Sequence, residues 1–309
     1  MVSKIQVVCL LGATGTGKTA AAIALAAAFG GEVVNVDSRQ VYAGIPVLTA
    51  QPTQQEQAVC PHHLYGDTPL DVPVAAGDFA VRARAAAAAI AARARLPVFV
   101  GGTGLYFRAI LGGLAPIPAI PPEVRAGILA DWQRLGSAAM HARLVAADPD
   151  YAGRIAPADR QRVTRALEVH AATGRAFSDW HRQGDPDAPD YDAVMLGLSL
   201  PMEELLPRLA RRIEQMACGG AVEEVREALS RYPADVPGLT GIGGPEITAH
   251  LAGRSNLKET REAWLSNTRS YAKRQMTWFR KEPDVAWFAP DDYAGCIAAV
   301  ARRLAESGL

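Results

Sequence analysis

The clearest chemistry in the chain lies in eight consecutive residues, Gly12-Ala13-Thr14-Gly15-Thr16-Gly17-Lys18-Thr19, which fit G-x-x-x-x-G-K-[ST] in full. Glycines at these positions let successive backbone N–H groups turn toward an anion without a Cβ in the way, and the following helix adds the partial positive charge of its N-terminus. Lys18 supplies a full charge for phosphate oxygens, and the Thr19 hydroxyl is placed to hold Mg²⁺. Some oligophosphate is therefore expected at Gly12–Thr19. A dinucleotide fingerprint, G-x-G-x-x-G, is not present. The second reactive candidate is Asp37, in Asp37-Ser38-Arg39-Gln40-Val41-Tyr42. In small phosphate-loop kinases a carboxylate in this place orients the acceptor nucleophile, so Asp37 is a candidate general base, with a turn or N-cap carboxylate as the plain alternative. Nucleotide hydrolases place an Asp at the end of a later strand to hold the metal shell. Here the matching run, Pro97-Val98-Phe99-Val100, ends in Gly101-Gly102-Thr103-Gly104-Leu105-Tyr106, which argues against a motor or GTPase.

These groups need a scaffold of alternating strands and helices. Ile5–Leu11 is an apolar run that reads as a buried strand, and the Ala-rich Ala20–Phe29 reads as the helix after the loop. Glu32–Val36, Pro97–Val100 and Ala193–Leu200 predict further buried strands, with Val285–Phe288 at an edge. Helices are expected over Phe79–Arg95, Pro201–Cys218, Ala221–Tyr232, Leu257–Lys281 and Tyr293–Ala305. Residues 43–78, rich in Pro, Gly and Gln, read as a long irregular connection, and Gly238–Gly244 as a loop. In a parallel sheet ligands gather beyond the carboxyl ends of the strands, so Asp37 should face the phosphate loop. The prolines of Ala115-Pro116-Ile117-Pro118-Ala119-Ile120-Pro121-Pro122 mark a boundary, after which Glu123–His181 is helical until the Asp/Pro-rich Gly184–Pro189. The expected fold is α/β: a P-loop NTPase-like parallel sheet core flanked by helices, built from 1–115 and 190–309. An all-helical insertion occupies 116–189.

The chain has 309 residues and no net formal charge, so affinity for a polyanion must come from local patches. Two stretches qualify. Asp159-Arg160-Gln161-Arg162-Val163-Thr164-Arg165 opens a helix in the insertion, and Ser266–Lys281 contains no acidic residue. Wound at about 100° per residue, Arg269, Lys273, Arg274, Arg280 and Lys281 share an arc of roughly 140°, which points to phosphate backbone as partner. Tyr271, Ala272, Met276, Trp278 and Phe279 fall on the other side, as core. His62-His63 lacks the spacing of a zinc site and stays unassigned, and Arg208, Arg211 and Arg212 are surface arginines by default. The four scattered cysteines read as free thiols, no apolar run reaches the length of a membrane span, and a reducing cytoplasm fits.

With these residues laid out, the chain closely resembles the tRNA dimethylallyltransferases, also called tRNA isopentenyltransferases. The likeness rests on Gly12–Thr19, Asp37–Tyr42, His62-His63-Leu64, Gly101–Tyr106, Asp159–Val169 and Ala272–Arg280, in that order and spacing. It implies transfer of a dimethylallyl group from dimethylallyl diphosphate to N6 of the adenine just 3′ of the anticodon of tRNA. The phosphate loop would then hold a diphosphate leaving group with Mg²⁺. The resemblance implies that Asp37 accepts a hydrogen bond from the adenine amino group and acts as base, that Thr103 contacts the target nucleotide or the diphosphate, and that Lys18 and Arg212 neutralise the leaving group. Asp37, Ser38, Arg39, Gln40, Thr103, Arg125, Gln161, Arg162, Val163, Thr164, Arg165, Lys273, Arg274 and Gln275 fall at tRNA-contacting positions. The implied partner is the tRNA anticodon stem-loop, with no membrane and a monomer expected. One departure stands out: where the family has Ile-Gly-Tyr followed by Lys or Arg, this chain has Ile242-Gly243-Gly244-Pro245, and that segment's RNA contact is not carried over. A small-molecule kinase using ATP at Lys18 and Asp37 is the alternative.

Overall fold

The computed structural model describes residues 4–185 and 188–306. In chain order the elements are β1 (Ile5–Gly12), α1 (Lys18–Phe29), β2 (Glu32–Asn35), α2 (Pro46–Thr49), α3 (Gln54–Val59), β3 (His62–His63), α4 (Ala76–Ala91), β4 (Pro97–Gly101) and α5 (Gly104–Gly112). Then follow α6 (Pro122–Ala147), α7 (Pro149–Ala152), α8 (Arg160–Thr173), α9 (Phe177–Gln183), β5 (Tyr191–Leu198) and α10 (Met202–Met216). A π-turn (Ala217–Ala221) leads to α11 (Val222–Leu229), a 3₁₀ turn (Pro237–Thr240), α12 (Gly244–Leu251), α13 (Leu257–Phe279), β6 (Ala286–Phe288) and α14 (Tyr293–Glu306). Two compact units result: residues 4–111 with 190–306, and residues 112–189.

The larger unit is built on a six-stranded sheet in the order β3-β2-β4-β1-β5-β6, in which every pairing is parallel. A parallel sheet is covered on both faces, which is why β1 runs without alternation: Val7 through Leu11 are all fully buried. Its core joins Val8, Leu10, Leu25, Val33, Val98, Leu196 and Val300. The chain leaves β1 for β2, two places away, while β5 lies on the other flank. The crevice at such a switch point opens at the carboxyl ends of the strands. Register pairs Leu11 with Gly101 and Asn35 with Val100, so the three strand ends that carry the phosphate loop, Asp37 and Thr103 are level.

The smaller unit is helical. Met140, Leu144, Val163, Ala166, Val169 and Phe177 close its core, with Trp132 and Trp180 packed against it. Asp148 is buried there, accepting from the Tyr151 and Ser178 N–H groups and from the Ser178 hydroxyl. Of the Asp/Pro-rich stretch expected to close the insertion, Gly184–Pro189, residues 186 and 187 lie outside the described residues.

Two stretches expected to be irregular are ordered instead. Residues 43–78 form two short helices and the edge strand β3, because Pro46 pre-sets the first helical position of α2 and Thr53 with Glu56 makes a capping box on α3. The Gly238–Gly244 loop is a 3₁₀ turn running into α12, which also has a proline, Pro245, in its first turn, and whose Glu246 carboxylate accepts from the Gly243 N–H at 2.7 Å. These capping devices depend on single residues and leave no periodic trace.

Candidate active site

The phosphate loop closes on itself before it can close on a ligand. Gly15 and Gly17 hold φ of 83° and 81°, the left-handed region that an L side chain resists, and this turns the loop over the start of α1. The Thr16 hydroxyl, buried, donates to the Ala13 carbonyl at 2.9 Å. Lys18 Nζ donates to the carbonyls of Gly12 and Ala13 at 2.9 and 2.7 Å. Burial lowers the pKa of this ammonium to about 8, the charge of Asp37 holds it up, and that of Arg212 lowers it further.

Asp37 is fixed from its own neighbourhood. Asn35, fully buried at the end of β2, accepts the Asp37 N–H on Oδ1 at 2.8 Å and donates from Nδ2 to the carbonyls of Leu64 and Asp37. The Asp37 carboxylate accepts the Arg39 N–H at 2.8 Å, an Asx turn that keeps one oxygen committed and one available. Thr103 Oγ1 accepts the Ser38 N–H at 3.0 Å, so the turn after β4 and the turn after β2 brace each other. The tight approach of these turns requires glycine: a Cβ on Gly101 would stand 2.0 Å from the Val36 carbonyl oxygen.

Helix α13 supplies the third wall. Gln275, 5% exposed, accepts the Thr14 N–H at 2.9 Å and donates to the Gly102 carbonyl at 2.8 Å, tying the phosphate loop to the β4 turn. Tyr271, on the same helix, lies in the field of Asp37, and burial first, then that charge, push its phenol pKa up. Helix α10 supplies the fourth wall. Its apolar positions Leu205, Leu209 and Ile213 are buried, and the same spacing brings Arg212 inward with them. Arg212 makes no hydrogen bond or ion pair among the described residues, and burial lowers its pKa against the opposing pull of Asp37.

Two cavities meet here. One, of about 360 Å³, is lined by Gly15, Gly17, Lys18, Thr19, Gln51, Glu56 and Tyr65. The other, of about 290 Å³, is lined by Leu48, Leu209, Ile213, Met216, Ile242 and Trp264, with Tyr271 and Arg274 at its polar side. Thr14, Asp37, Thr49 and Arg212 line both. The first cavity offers backbone N–H groups and two cations to an anion; the second offers an apolar and aromatic surface; a carboxylate stands between them. A divalent cation fits the first cavity. Mg²⁺ is commonly bound by one or two protein oxygens together with substrate phosphates. The Thr19 hydroxyl lines the cavity with no protein partner among the described residues, and no cluster of three His, Cys, Asp or Glu that could hold an ion by itself occurs among them.

The structure thus brings Gly12–Thr19, Asp37, Arg212 and Thr103 to one crevice. Ser38 and Arg39 line the apolar cavity, where Arg39 also donates to the Pro237 carbonyl at 3.1 Å. Gln40 spends its amide on the carbonyls of Thr49 and Ala50. Arg269, Lys273 and Arg274 are exposed on α13, opposite the buried Ala272, Met276 and Phe279, and Arg280 and Lys281 are exposed just past its end. Trp278 is half-buried, with the Arg108 guanidinium 4.9 Å above its ring.

Three residues expected to meet RNA are placed otherwise. Gln275 is sealed between the phosphate loop and the β4 turn, and a Cβ on Gly102 would already stand 2.1 Å from its amide nitrogen. Val163 is fully buried in the core of the insertion, one face of α8 being that unit's interior. The Thr164 hydroxyl is turned back to the Arg160 carbonyl at 2.8 Å. The insertion does expose Gln161 and Arg162, and its Arg125 and Arg165 both reach the buried Glu168, at 3.6 and 3.5 Å. His62 and His63 serve packing: His63 Nε2 meets Glu32 at 2.7 Å, and His62 Nδ1 donates to the Cys60 carbonyl. Asn35, Tyr271 and the clamp made by Gln275 escaped the sequence reading; a buried Asn at a strand's carboxyl end and a Gln inside an apolar helix face are the signals that could have found them.

The model described as "IPP transferase" matches residues 40–282, and that described as "Isopentenyl transferase" matches residues 5–65. A tRNA dimethylallyltransferase of Desulfovibrio desulfuricans is 50% identical over 301 residues, 97% of this chain and 93% of that protein. One from Rhodopseudomonas palustris is 43% identical over 289 residues, 92% of this chain and 90% of that one. The crystal structure of the tRNA isopentenylpyrophosphate transferase of Bacillus halodurans is 33% identical and superposes with a TM-score of 0.73, covering 98% of both chains. A eukaryotic dimethylallyltransferase solved acting on tRNA, 27% identical, superposes at 0.81 over 98% of this chain and 78% of its own. By sequence over nearly its whole length, and by a fold that superposes on solved members over 98% of the chain, this chain belongs to the IPP transferase family, the tRNA dimethylallyltransferases.

Proposed function

We propose that the protein transfers the dimethylallyl group of dimethylallyl diphosphate to N6 of the adenine 3′ of the anticodon in tRNA. The observation that carries this reading is the shared wall: Asp37 and Arg212 line both the cationic cavity and the apolar one, so a carboxylate and a cation face the place where the two substrates must meet. The diphosphate lies against the Gly12–Thr19 loop with Lys18 and Arg212, and the target base, extruded from its loop, meets Asp37. The adenine N6 attacks C1 of the allyl group; the N6–C1 bond forms as the C1–O bond breaks. The electron pair leaves with diphosphate, and the N6 proton passes to the Asp37 carboxylate. Lys18 and Arg212 meet the charge that grows on the departing oxygen, where preformed cations lower the barrier most. Thr103 holds the Ser38 turn, and so Asp37, in place. Mg²⁺ on Thr19 would add charge for the same leaving group.

Exposed Lys273 on α13, Arg274 at the rim of the apolar cavity, and Arg125, Gln161, Arg162 and Arg165 on the insertion meet the anticodon stem-loop. A monomer working in the cytoplasm is the setting this implies. Incubation with labelled dimethylallyl diphosphate and unmodified tRNA tests the reading. Label in RNA is expected; ATP-dependent phosphorylation of a metabolite, with RNA inert, would replace it with a kinase.

A further inference from the structure

We propose that Glu224 is a positioning residue for the diphosphate site: its carboxylate holds the one-turn helix α2 that walls both cavities. The proposal rests on the reading that the cationic cavity takes a prenyl diphosphate. Helix α2 spans only Pro46–Thr49, too short to sustain itself, since a single turn gives up more backbone freedom than its own bonds return. Yet it is the partition of the site. Leu48 lines the apolar cavity, Ala50 and Gln51 line the cationic one, and Thr49 lines both.

Two side chains, one from the distant α11 and one from the turn after β2, hold this helix at its ends. Glu224 Oε1 accepts the Val47 N–H and Oε2 accepts the Leu48 N–H, each at 2.8 Å, the charge-assisted arrangement that suits the positive end of a helix. Gln40 Nε2 donates to the carbonyls of Thr49 and Ala50 at 3.1 and 2.7 Å. Gln40 belongs to the segment of Asp37, so one end of the partition is fixed to the reacting carboxylate's own turn and the other to α11. Glu224 forms no ion pair among the described residues and lines neither cavity, which leaves the two N–H groups as its task.

The route by which Glu224 arrives strengthens the case. Helix α10 brings Arg212 and Met216 to the cavities, and the chain then passes through the π-turn at Ala217–Ala221. Gly220, with φ of 114°, redirects it so that the first turn of α11 faces α2. Such π-turns inside helices recur at functional sites because they aim side chains that a regular helix cannot. Here the same segment supplies Arg212 on one side of the turn and the latch on the other.

Glu224→Gln keeps the shape, retains one acceptor oxygen and sets an amide NH₂ against the second N–H. The test compares it with the full-length wild type by calorimetric binding of dimethylallyl diphosphate, by steady-state kinetics with saturating tRNA, and by amide hydrogen exchange at Val47 and Leu48. Kd and KM for dimethylallyl diphosphate are expected to rise about tenfold, the worth of one charge-assisted hydrogen bond. kcat and the Kd for tRNA stay within about twofold, inside the scatter of a substitution that touches neither, and exchange at the two amides quickens. Glu224→Asp, with a shorter arm, should fall between the two. Faster exchange with an unchanged KM would overturn the proposal and leave Glu224 a purely structural residue. A wild type that neither binds dimethylallyl diphosphate nor labels tRNA would sink the underlying reading, and the proposal with it. A variant equal to an active wild type in every readout sinks the proposal alone.

Discussion

Asp37 stands where its neighbours put it: Asn35 takes its N–H, its own carboxylate takes that of Arg39, and Thr103 braces the next residue. None of these groups needs the acidity of Asp37, so Asp37→Asn should keep the turn and lose only the proton acceptor. Turnover falls about 10²- to 10⁴-fold, with tRNA affinity unchanged in a filter-binding assay; equal turnover would remove Asp37 from the chemistry. Lys18 gives a pH signature. With its pKa lowered to about 8, the ammonium is charged below that pH and neutral above it. Affinity for dimethylallyl diphosphate, measured calorimetrically from pH 6 to 10, should therefore be level at first. It then weakens by about tenfold per unit as pH climbs past that value, and Lys18→Ala removes the break. Gln275 separates two roles. As a clamp on Thr14 and Gly102, its replacement by Ala should weaken diphosphate binding about tenfold and leave the salt dependence of tRNA binding as it was. Weaker tRNA binding with normal diphosphate affinity would restore it to the RNA surface.

At the scale of elements, α13 does two jobs on two faces. Its buried face carries Trp264, Ala272, Gln275, Met276 and Phe279 against the core, and its exposed face carries Lys273 and Arg274. Lys273→Ala should lower the slope of log K against log salt for tRNA by about one, with KM for the diphosphate constant; an unaltered slope would mean this face does not meet phosphate. The start of α12 shows the reverse, an element that has given up a side chain. A Cβ on Gly244, the first residue of α12, would lie 2.1 Å from the Leu239 carbonyl oxygen, so this backbone admits no aromatic residue there, and Pro245 follows in the same first turn.

For the whole molecule, the loop, the carboxylate and the basic face of α13 belong to the sheet unit, whereas Gln161, Arg162 and Arg165 belong to the insertion. If both units grip the same RNA through phosphate, Arg162→Ala and Lys273→Ala should each weaken binding. Their free-energy costs should add to within about 0.5 kcal/mol in a double-mutant cycle, as independent contacts do. A large coupling energy would show that the two contacts are not independent.

The sequence by itself determined the parts whose physics is local. A loop of glycines between an apolar run and a helix, β-branched strands buried on both faces, a proline-dense boundary, and a helix with cations confined to one arc all act through near neighbours. Their residue types therefore declare them. Tertiary structure decided what depends on partners far along the chain. Gln275 lies 261 residues from Thr14 and 173 from Gly102, and Glu224 lies 177 from Val47. Periodicity marks a polar side chain in an apolar face as an irregularity and cannot say which backbone it satisfies. The same holds for Val163 and Thr164, which sit in a basic motif but on the inward side of α8, where packing within the insertion overrides the charge around them. Only folding brings a buried donor or acceptor to the one group that balances it, and the geometry of the site is set by those pairings.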